Sequence, residues 1–117
     1  MKLGTSLTVV TTLLLSIGAA HAETMVSKDT MMTLYTYDKD TAGASTCYDD
    51  CAVNWPPYLG KAGEEKAMGE GWTLVERKDK TLQWAYDGKP VYLFIGDKKQ
   101  GDMTGDGKGG VWKVLAQ

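Results

Sequence analysis

Two stretches of this chain, 57 residues apart, share a pattern that constrains its fold more than any other feature. Leu34–Asp40 reads LYTYDKD and Val91–Asp97 reads VYLFIGD, so both have the form apolar–Tyr–x–aromatic–x–x–Asp. At the same spacing Trp55 aligns with Trp112, and no gap is needed in between. Because Trp and Tyr are rare, a tandem duplication explains the matches better than chance does. The sequence predicts two copies of one unit, each too small to bury its own apolar face, that share a core.

The first 22 residues have the pattern of a secretory signal peptide. Lys2 supplies a short positive region, Leu7–Ile17 is mainly apolar, and Ala20–Ala22 forms a small-x-small cleavage site. The apolar run is shorter than the ~20 residues that a membrane span needs. No cysteine follows the cleavage site to carry a lipid. We expect removal of residues 1–22 and a periplasmic or secreted protein without stable membrane insertion.

Composition narrows the possible functions because the predicted signal contains His21, the single histidine of the chain. Without it, Ser-His-Asp and Cys-His catalysis are excluded, as are zinc and haem sites that need histidine. The formal net charge is −2 and the charges are interspersed, which argues against a nucleic-acid partner. An enzyme is not favoured, although carboxylates, Lys, Tyr or thiols leave the question open.

Strands are easiest to predict in the second copy. Trp72–Arg77, Thr81–Tyr86 and Val91–Ile95 have the composition of strands, and Val111–Leu115 is predicted as a terminal strand. Asp87-Gly88 predicts a type I′ hairpin turn, which needs positive φ at both central residues.

A two-residue turn also sets the hairpin register. It places Tyr86 opposite Lys89 and Trp84 opposite Val91. Pro90 then faces Ala85 in a pair without hydrogen bonds, so its missing N–H points away from the hairpin. Such a proline is tolerated only beside an open edge.

The first copy is predicted to contain the matching strand at Met31–Tyr37, with Thr24–Ser27 as its partner. Thr46 and Asp49 resemble a capping box, which predicts a short helix over Cys47–Asn54. The resulting organisation is a single domain over residues 23–117, with repeat 1 at about 24–57, a surface loop at 58–71 and repeat 2 at about 72–117. The loop is predicted to hold one helical turn at Glu64–Met68.

The aromatic side chains shared by the repeats are interpreted as core. Tyr and Phe at a spacing of two residues suit a strand and bury large areas, although a ligand-stacking platform is the alternative. The motif residues are Tyr35, Tyr37, Asp40, Tyr92, Phe94 and Asp97, and the candidate structural tryptophans are Trp55, Trp84 and Trp112.

Cys47 and Cys51 are the two cysteines of the chain, and an even count in a secreted protein predicts a disulfide. Its spacing is C-x3-C, whereas redox motifs usually have C-x-x-C. A structural staple is favoured, and a redox pair remains the alternative. Copper binding by the thiols with methionine is a further, weaker hypothesis, because the methionines do not cluster at ligand spacing.

Two acidic features also have structural interpretations. Asp40 and Asp97 follow the aromatic residues by three positions and are predicted to cap the loop backbone. The segment from Asp102 begins like a calcium loop, but Lys113 stands where a bidentate Glu is needed. The sequence therefore predicts neither a metal site nor a cofactor.

The segments LYTYDKD, TCYDDCAVNWPP and QWAYDGKPVYLFIGDKKQGDMTGDGKGGVWKV together resemble a bacterial family of secreted proteins and predicted lipoproteins. That family is recognised by a repeated Y-x-(F/W/Y)-x-x-D motif, which here occurs at Tyr35–Asp40 and Tyr92–Asp97. The resemblance implies an envelope or extracellular location and a repeated unit, with no established activity.

These observations predict a mainly β, small antiparallel domain of two pseudo-symmetric repeats with one short helical segment that carries the cysteines. The favoured function is a non-enzymatic envelope module that binds a partner protein or a small ligand. The alternative is a thiol-redox or copper-handling protein that uses Cys47 and Cys51.

Overall fold

The computed structural model describes residue 4 and residues 23–117. The signal peptide predicted over residues 1–22 therefore lies, apart from residue 4, outside the described residues. Within them the chain forms short strands and helices in the order β1 Tyr35–Tyr37, α1 Asp50–Asn54, β2 Leu59–Gly60, α2 Glu65–Met68, β3 Trp72–Glu76, β4 Leu82–Tyr86, β5 Lys89–Tyr92 and β6 Trp112–Val114, with a 3-10 turn at Lys108–Gly110 before β6. The prediction of a mainly β fold is confirmed.

All pairings in the described sheet are antiparallel, and its centre relates the two repeats. The strand order is β2-β4-β5-β1-β6, and β3 pairs with the outer side of β4. In the middle, Tyr35 of β1 lies opposite Tyr92 of β5, which is its own counterpart 57 residues on. An antiparallel pair centred on equivalent residues has a local twofold axis between them. The predicted pseudo-symmetry is therefore present in the backbone pairing.

The last segment of each repeat pairs with the central strand of the other repeat. On one side β6 pairs with β1, with Tyr35 opposite Val114. On the other side residues 54–58 run along β5, with Pro57 opposite Tyr92. Because both end segments cross over, each repeat depends on the other for its backbone hydrogen bonds.

The same exchange appears in individual backbone hydrogen bonds. The Ile95 N–H donates to the Asn54 carbonyl at 2.9 Å, and its counterpart, the Asp38 N–H, donates to the Val111 carbonyl at 2.8 Å. The two repeats therefore meet as intertwined halves of one sheet.

The sheet separates two clusters of buried side chains, one on each face. The first is aliphatic and aromatic, and consists of Leu34, Tyr58, Trp84, Val91 and Leu115. The second is mainly aromatic, and consists of Tyr35, Cys47, Trp55, Tyr92 and Trp112. Each cluster takes residues from both repeats, as expected if neither repeat can bury its apolar surface alone.

The predicted hairpin register is confirmed next to the turn, but the predicted pair of Trp84 with Val91 does not form, because Tyr58 lies between these two residues. Tyr86 lies opposite Lys89 and Ala85 opposite Pro90. Asp87 and Gly88 both have positive φ, at 47° and 81°, as a type I′ turn requires. On its other side, the pairing of β5 with β1 stops at Val91. Pro90 has no N–H to extend that ladder, so β1 and β5 part at this point.

Several local predictions are wrong. The helix begins at Asp50 rather than Cys47, and Asp49 has φ 55° with no side-chain cap. The proposed capping box does not form, because Thr46 binds Asp40 instead. Met31 has φ 60°, a turn conformation, so the first strand starts at Tyr35.

The segment 58–71 is not only a surface loop. Tyr58 is buried, and Leu59–Gly60 forms β2, which pairs with β4. The Tyr58 N–H donates to the Val91 carbonyl, and the Tyr58 carbonyl accepts from the Trp84 N–H. The chain therefore inserts between β4 and β5 where they diverge. The helical turn predicted at Glu64–Met68 corresponds to α2.

Candidate functional site

The tyrosine and the aspartate of the repeated motif interact across the repeats. The Tyr35 hydroxyl donates to Asp97 Oδ2 at 2.6 Å, and the Tyr92 hydroxyl donates to Asp40 Oδ2 at 2.6 Å. Each tyrosine therefore reaches the aspartate of the other copy. This explains why Tyr and Asp recur together, since the pair works only when both repeats carry both residues.

Both aspartates also hold the loop that follows their strand. Asp40 Oδ1 accepts from the backbone N–H and the hydroxyl of Thr46, both at 2.8 Å. Asp97 Oδ1 accepts from the same two groups of Thr104, at 2.9 and 2.6 Å. These contacts are of the backbone-binding kind predicted for the aspartates. The sequence analysis did not identify the two threonines as partners of the aspartates, although a Thr follows each Asp by six or seven residues.

Burial changes the ionisation of the two motif tyrosines. Tyr35 and Tyr92 have no solvent exposure. Loss of hydration raises the pKa of each hydroxyl well above its usual value, and the hydrogen bond to the aspartate raises it further. Both tyrosines are therefore neutral hydrogen-bond donors over the physiological pH range.

Four aromatic rings form a continuous stack through the second core cluster. Trp55 and Trp112, which are equivalent in the repeats, stack with centroids 3.9 Å apart and planes 4° apart. Outside them, Phe94 stacks on Trp55 at 4.2 Å and Tyr37 stacks on Trp112 at 4.1 Å. The order Tyr37–Trp112–Trp55–Phe94 is symmetric about the twofold axis, which exchanges the two ends of the stack, and Tyr35 and Tyr92 pack edge-on against the tryptophans.

The two ends of this stack have different surroundings. At the Phe94 end the backbone lies against the ring: a Cβ added at Gly96 would be 2.3 Å from Phe94, and one at Gly105 would be 2.9 Å away. The Lys108 ammonium lies 5.5 Å from the ring centroid. Glycine at these positions lets the loop cover Phe94.

At the Tyr37 end there is a cavity of about 330 Å³, which we call the Tyr37 pocket. It opens where β1 and β5 part at Pro90, so the missing proline N–H gives a physical reason for its position. Its wall comes from the end of β1, the loop after it, and the hairpin tip of the other repeat: Thr36, Tyr37, Asp38, Asp40, Thr41, Ala42, Asp87, Gly88, Lys89 and Pro90.

The corresponding region of repeat 2 is crossed by hydrogen bonds. Thr33, the counterpart of Pro90, donates its hydroxyl to the Asp102 carbonyl at 2.6 Å. The Gln100 side chain donates to the Thr30 carbonyl at 3.3 Å. The loop after β5 thus packs onto the turn of repeat 1. The loop after β1 makes the equivalent contact, since the Gly43 N–H donates to the Gly88 carbonyl at 2.8 Å, and the Tyr37 pocket lies beside this contact.

Cys47 and Cys51 form the predicted disulfide, with 5.2 Å between their Cα atoms. Cys47 has no solvent exposure and belongs to the aromatic cluster, whereas Cys51 is half-buried on α1. At the 57-residue spacing Thr104 and Lys108 stand where repeat 1 has Cys47 and Cys51, so the bridge belongs to one repeat only.

Arg77 is a buried residue that the sequence did not single out. It is 4% exposed and follows β3. Its guanidinium donates to Gln83 Oε1 at 2.7 Å, to the Cys47 carbonyl at 2.8 Å and to Ser45 Oγ at 3.0 Å. Because Ser45 Oγ lies 2.5 Å from the Tyr92 hydroxyl, these contacts connect Arg77 to the Tyr92–Asp40 pair. The charge stabilises the cysteine loop through neutral acceptors.

A second cavity, of about 350 Å³, lies near α2 and includes Tyr58, Trp84 and Met68 in its wall. A Cβ on Gly60 would come within 2.5 Å of the Trp84 ring, so glycine allows β2 to pass over the indole. Both aromatic side chains here are almost fully buried, and they contribute mainly to the first core cluster.

The calcium-like segment has a structural use. Asp102 accepts the backbone N–H groups of Lys98 and Lys99, and these bonds lower the pKa of its carboxyl. Asp106 accepts the Val114 N–H. Among the described residues no group of three or more His, Cys, Asp and Glu is arranged to hold a metal ion. None of the helices in the described part of the chain has the length and apolar character that crossing a bilayer requires.

These features define a class: a small β protein of two repeats that exchange strands and tyrosine–aspartate hydrogen bonds. A family model described as a secreted repeat of unknown function, Lipoprotein_15, matches residues 24–58 and 73–116. The chain belongs to this family, and the resemblance indicated by its motif is confirmed. Searches of curated proteins and of solved structures return no match.

Proposed function

We propose that this chain is a non-enzymatic module of the bacterial envelope, periplasmic or released, that binds a small ligand in the Tyr37 pocket. The family is described as secreted, which supports the location. The pocket lies between the repeats, at the end of the aromatic stack. Clefts between structural units are common places for ligand sites.

The observation that carries this proposal is the open volume at the Tyr37 end of the stack. At the Phe94 end, glycine backbone and Lys108 lie against the half-buried ring. The Tyr37 end adjoins an open volume of about 330 Å³, near the lower limit of about 300 Å³ for small-molecule sites. An open volume beside a stacked aromatic ring, at the junction of the two repeats, favours a binding role.

The chemistry of the wall suits a ligand with an apolar face and several hydrogen-bond donors. Tyr37 and Pro90 supply apolar surface, and the carboxylates of Asp38, Asp40 and Asp87 supply acceptors. Lys89 reduces the net negative charge. Asp40 is already bound by Tyr92 and Thr46, so it is better suited to orienting a ligand than to transferring protons.

Glucosamine is a suitable first probe, because its ring has an apolar face, hydroxyl donors and an ammonium group. We expect glucosamine titration to shift the backbone amide resonances of residues 36–42 and 87–89. Glucose, which lacks the ammonium group, measures the contribution of charge.

Asp87→Asn tests the pocket without disturbing the fold, because Asn also tolerates positive φ in a hairpin turn. We expect weaker glucosamine binding with an unchanged melting temperature. Asp29→Asn removes the same charge beside the other cavity and is the matched control. Shifts outside the pocket, or equal effects of the two variants, would reject this site.

A thiol-redox role is the second candidate, and one observation favours it. Cys51 is half-buried on a short surface helix while Cys47 is buried, so an external thiolate has better access to the Cys51 sulfur. Counting free thiols after treatment with a glutathione buffer tests it. A bridge that stays oxidised at the potential of the envelope would argue against redox function and leave the ligand proposal intact.

A further inference from the structure

β3 forms one side of the sheet. It precedes the β4–β5 hairpin of repeat 2, and the described residues of repeat 1 contain no counterpart strand. Its five residues pair with β4 along their whole length, from Trp72 opposite Tyr86 to Glu76 opposite Leu82. In the described sheet β3 has β4 as its single neighbour.

The register identifies the backbone groups of β3 that point away from β4. In an antiparallel pair alternate residues exchange hydrogen bonds with the neighbouring strand. The Asp87 N–H donates to the Gly71 carbonyl and the Arg77 N–H to the Thr81 carbonyl. Odd-numbered residues of β3 therefore bond to β4, and the N–H and C=O groups of Trp72, Leu74 and Glu76 point outward.

The opposite side of the sheet is closed by the chain itself. Along β6, the Val114 N–H donates to Asp106 Oδ1 at 3.1 Å, and the Trp112 carbonyl accepts from the Gly107 N–H at 2.8 Å. The loop before β6 thus occupies its outer edge. Proteins usually cover such edges or place charged residues on them, because unpaired backbone groups recruit another strand. β3 carries one acidic residue, Glu76, and no covering segment pairs with it in the described sheet.

We propose that β3 is a dimerisation edge, at which a second copy of this chain adds its own β3 in antiparallel register centred on Leu74. A twofold arrangement places Leu74 opposite Leu74 of the second copy and Trp72 opposite Glu76. The side chains of Trp72 and Leu74, both half-buried in the monomer, lie on one face of the continuous sheet. Dimerisation covers more of their apolar surface.

Charge favours an antiparallel copy. Glu70 precedes β3 and Lys78 follows it, so the twofold arrangement brings the acidic start of each strand near the basic end of the other. An interface made of one β3 strand from each copy buries much less than the ~1,600 Å² of a standard interface. We therefore expect the dimer to dissociate on dilution.

The test uses sedimentation velocity of the secreted protein over a concentration series, with Glu76→Pro as the main variant. Proline removes the outward N–H at residue 76 but no bond to β4, and an edge strand tolerates it there. The Glu76 side chain is 57% exposed, so its loss disturbs little packing. Glu76→Ala removes the same side chain and keeps the N–H.

We expect a concentration-dependent dimer in the wild-type protein and in Glu76→Ala, and at least a tenfold weaker dimer in Glu76→Pro. Lys78→Glu should weaken the dimer, and adding Glu70→Lys should restore it. Circular dichroism and melting temperature check that each variant folds. A monomer at every concentration, or a dimer that Glu76→Pro leaves unchanged, would overturn the proposal.

Discussion

Repeat 1 and repeat 2 agree most closely in the side chains that bind across to the other copy and differ most in the segments around them. The shared residues are those whose partners lie in the other copy: the motif tyrosines, the aspartates and the stacked tryptophans. The differing parts are the turn before the central strand, the loop after it and the disulfide. Contact across the twofold axis requires both copies to keep the same residue, whereas loops can diverge separately.

Removing either stacked tryptophan is the test of this comparison with the largest expected loss of stability. Trp55 and Trp112 are each 6% exposed and make equivalent contacts. We expect Trp55→Ala and Trp112→Ala each to lower the free energy of unfolding by about 3–5 kcal/mol, from lost burial and the cavity left behind. Urea denaturation measures both. If one substitution costs less than a quarter of the other, the stack is not shared equally by the repeats.

Alkaline pH should destabilise the fold through the buried tyrosines. Their folded-state pKa is raised above the usual 10.0, so the folded protein keeps protons that the unfolded chain releases. Stability is therefore fully present below pH 10 and declines above it, by about 3 kcal/mol at pH 11 for Tyr35 and Tyr92 together. Burial also raises the pKa of Tyr58, which adds to the decline.

Urea denaturation between pH 8 and pH 11 gives the size of this effect. The Tyr35→Phe/Tyr92→Phe double variant is the control and should show a flatter profile. An equal decline in the double variant would assign the alkaline loss to other groups.

Reduction of the disulfide tests a feature that only repeat 1 has. The bridge closes a five-residue loop, for which chain entropy gives about 2 kcal/mol. We expect Cys51→Ser with Cys47→Ala to lower the free energy of unfolding by that amount and to leave the fold intact, because repeat 2 holds its equivalent loop without a bridge. Urea denaturation with and without dithiothreitol gives the same quantity for the wild-type protein. Loss of the fold on reduction would mean that repeat 1 depends on its bridge.

The motif tyrosines offer a finer comparison because their acceptors differ in burial. Asp97 is 8% exposed, whereas Asp40 is half-buried beside the Tyr37 pocket. Each Tyr→Phe change removes one hydrogen bond to a charged acceptor, at about 1–3 kcal/mol. We expect Tyr35→Phe to cost about 1 kcal/mol more than Tyr92→Phe, since water can replace the donor more easily at Asp40. Equal losses in urea denaturation would mean that the two carboxylates are equally shielded.

The sequence predicted the elements whose signals are local. Asp87-Gly88 determines a turn, the turn determines a register, and the shared spacing revealed the duplication. The exchange of strands between the repeats could not be predicted from the sequence. A hydrophobic pattern indicates which face of a strand is buried, but it does not indicate which strand pairs with it. Thr46 was misassigned for a similar reason: capping by Asp49 and binding by Asp40 look equally good from the sequence, and tertiary contact decides between them.

The candidate pocket could not be predicted from the sequence. The sequence identified Pro90 as a residue without a donor that needs an open edge. The cavity follows only when the same proline ends the pairing of β5 with β1, next to Tyr37. Arg77 was likewise indistinguishable from the neighbouring surface lysines, because its burial depends on the cysteine loop folding over it.

The smallest expected effect concerns an ion pair between the repeats that has no symmetric counterpart. Lys113 and Asp38 form a salt bridge at the surface, with side chains 58% and 43% exposed, while their counterparts, Pro56 and Ile95, are uncharged. Because solvent screens exposed pairs, we expect Lys113→Ala to change the free energy of unfolding by less than about 0.5 kcal/mol. Asp38 also belongs to the Tyr37 pocket, so the same variant should alter glucosamine binding more than stability. A loss of stability above about 1 kcal/mol would show that this contact helps to hold β6 on β1, and that solvent-facing differences between the repeats contribute to the fold after all.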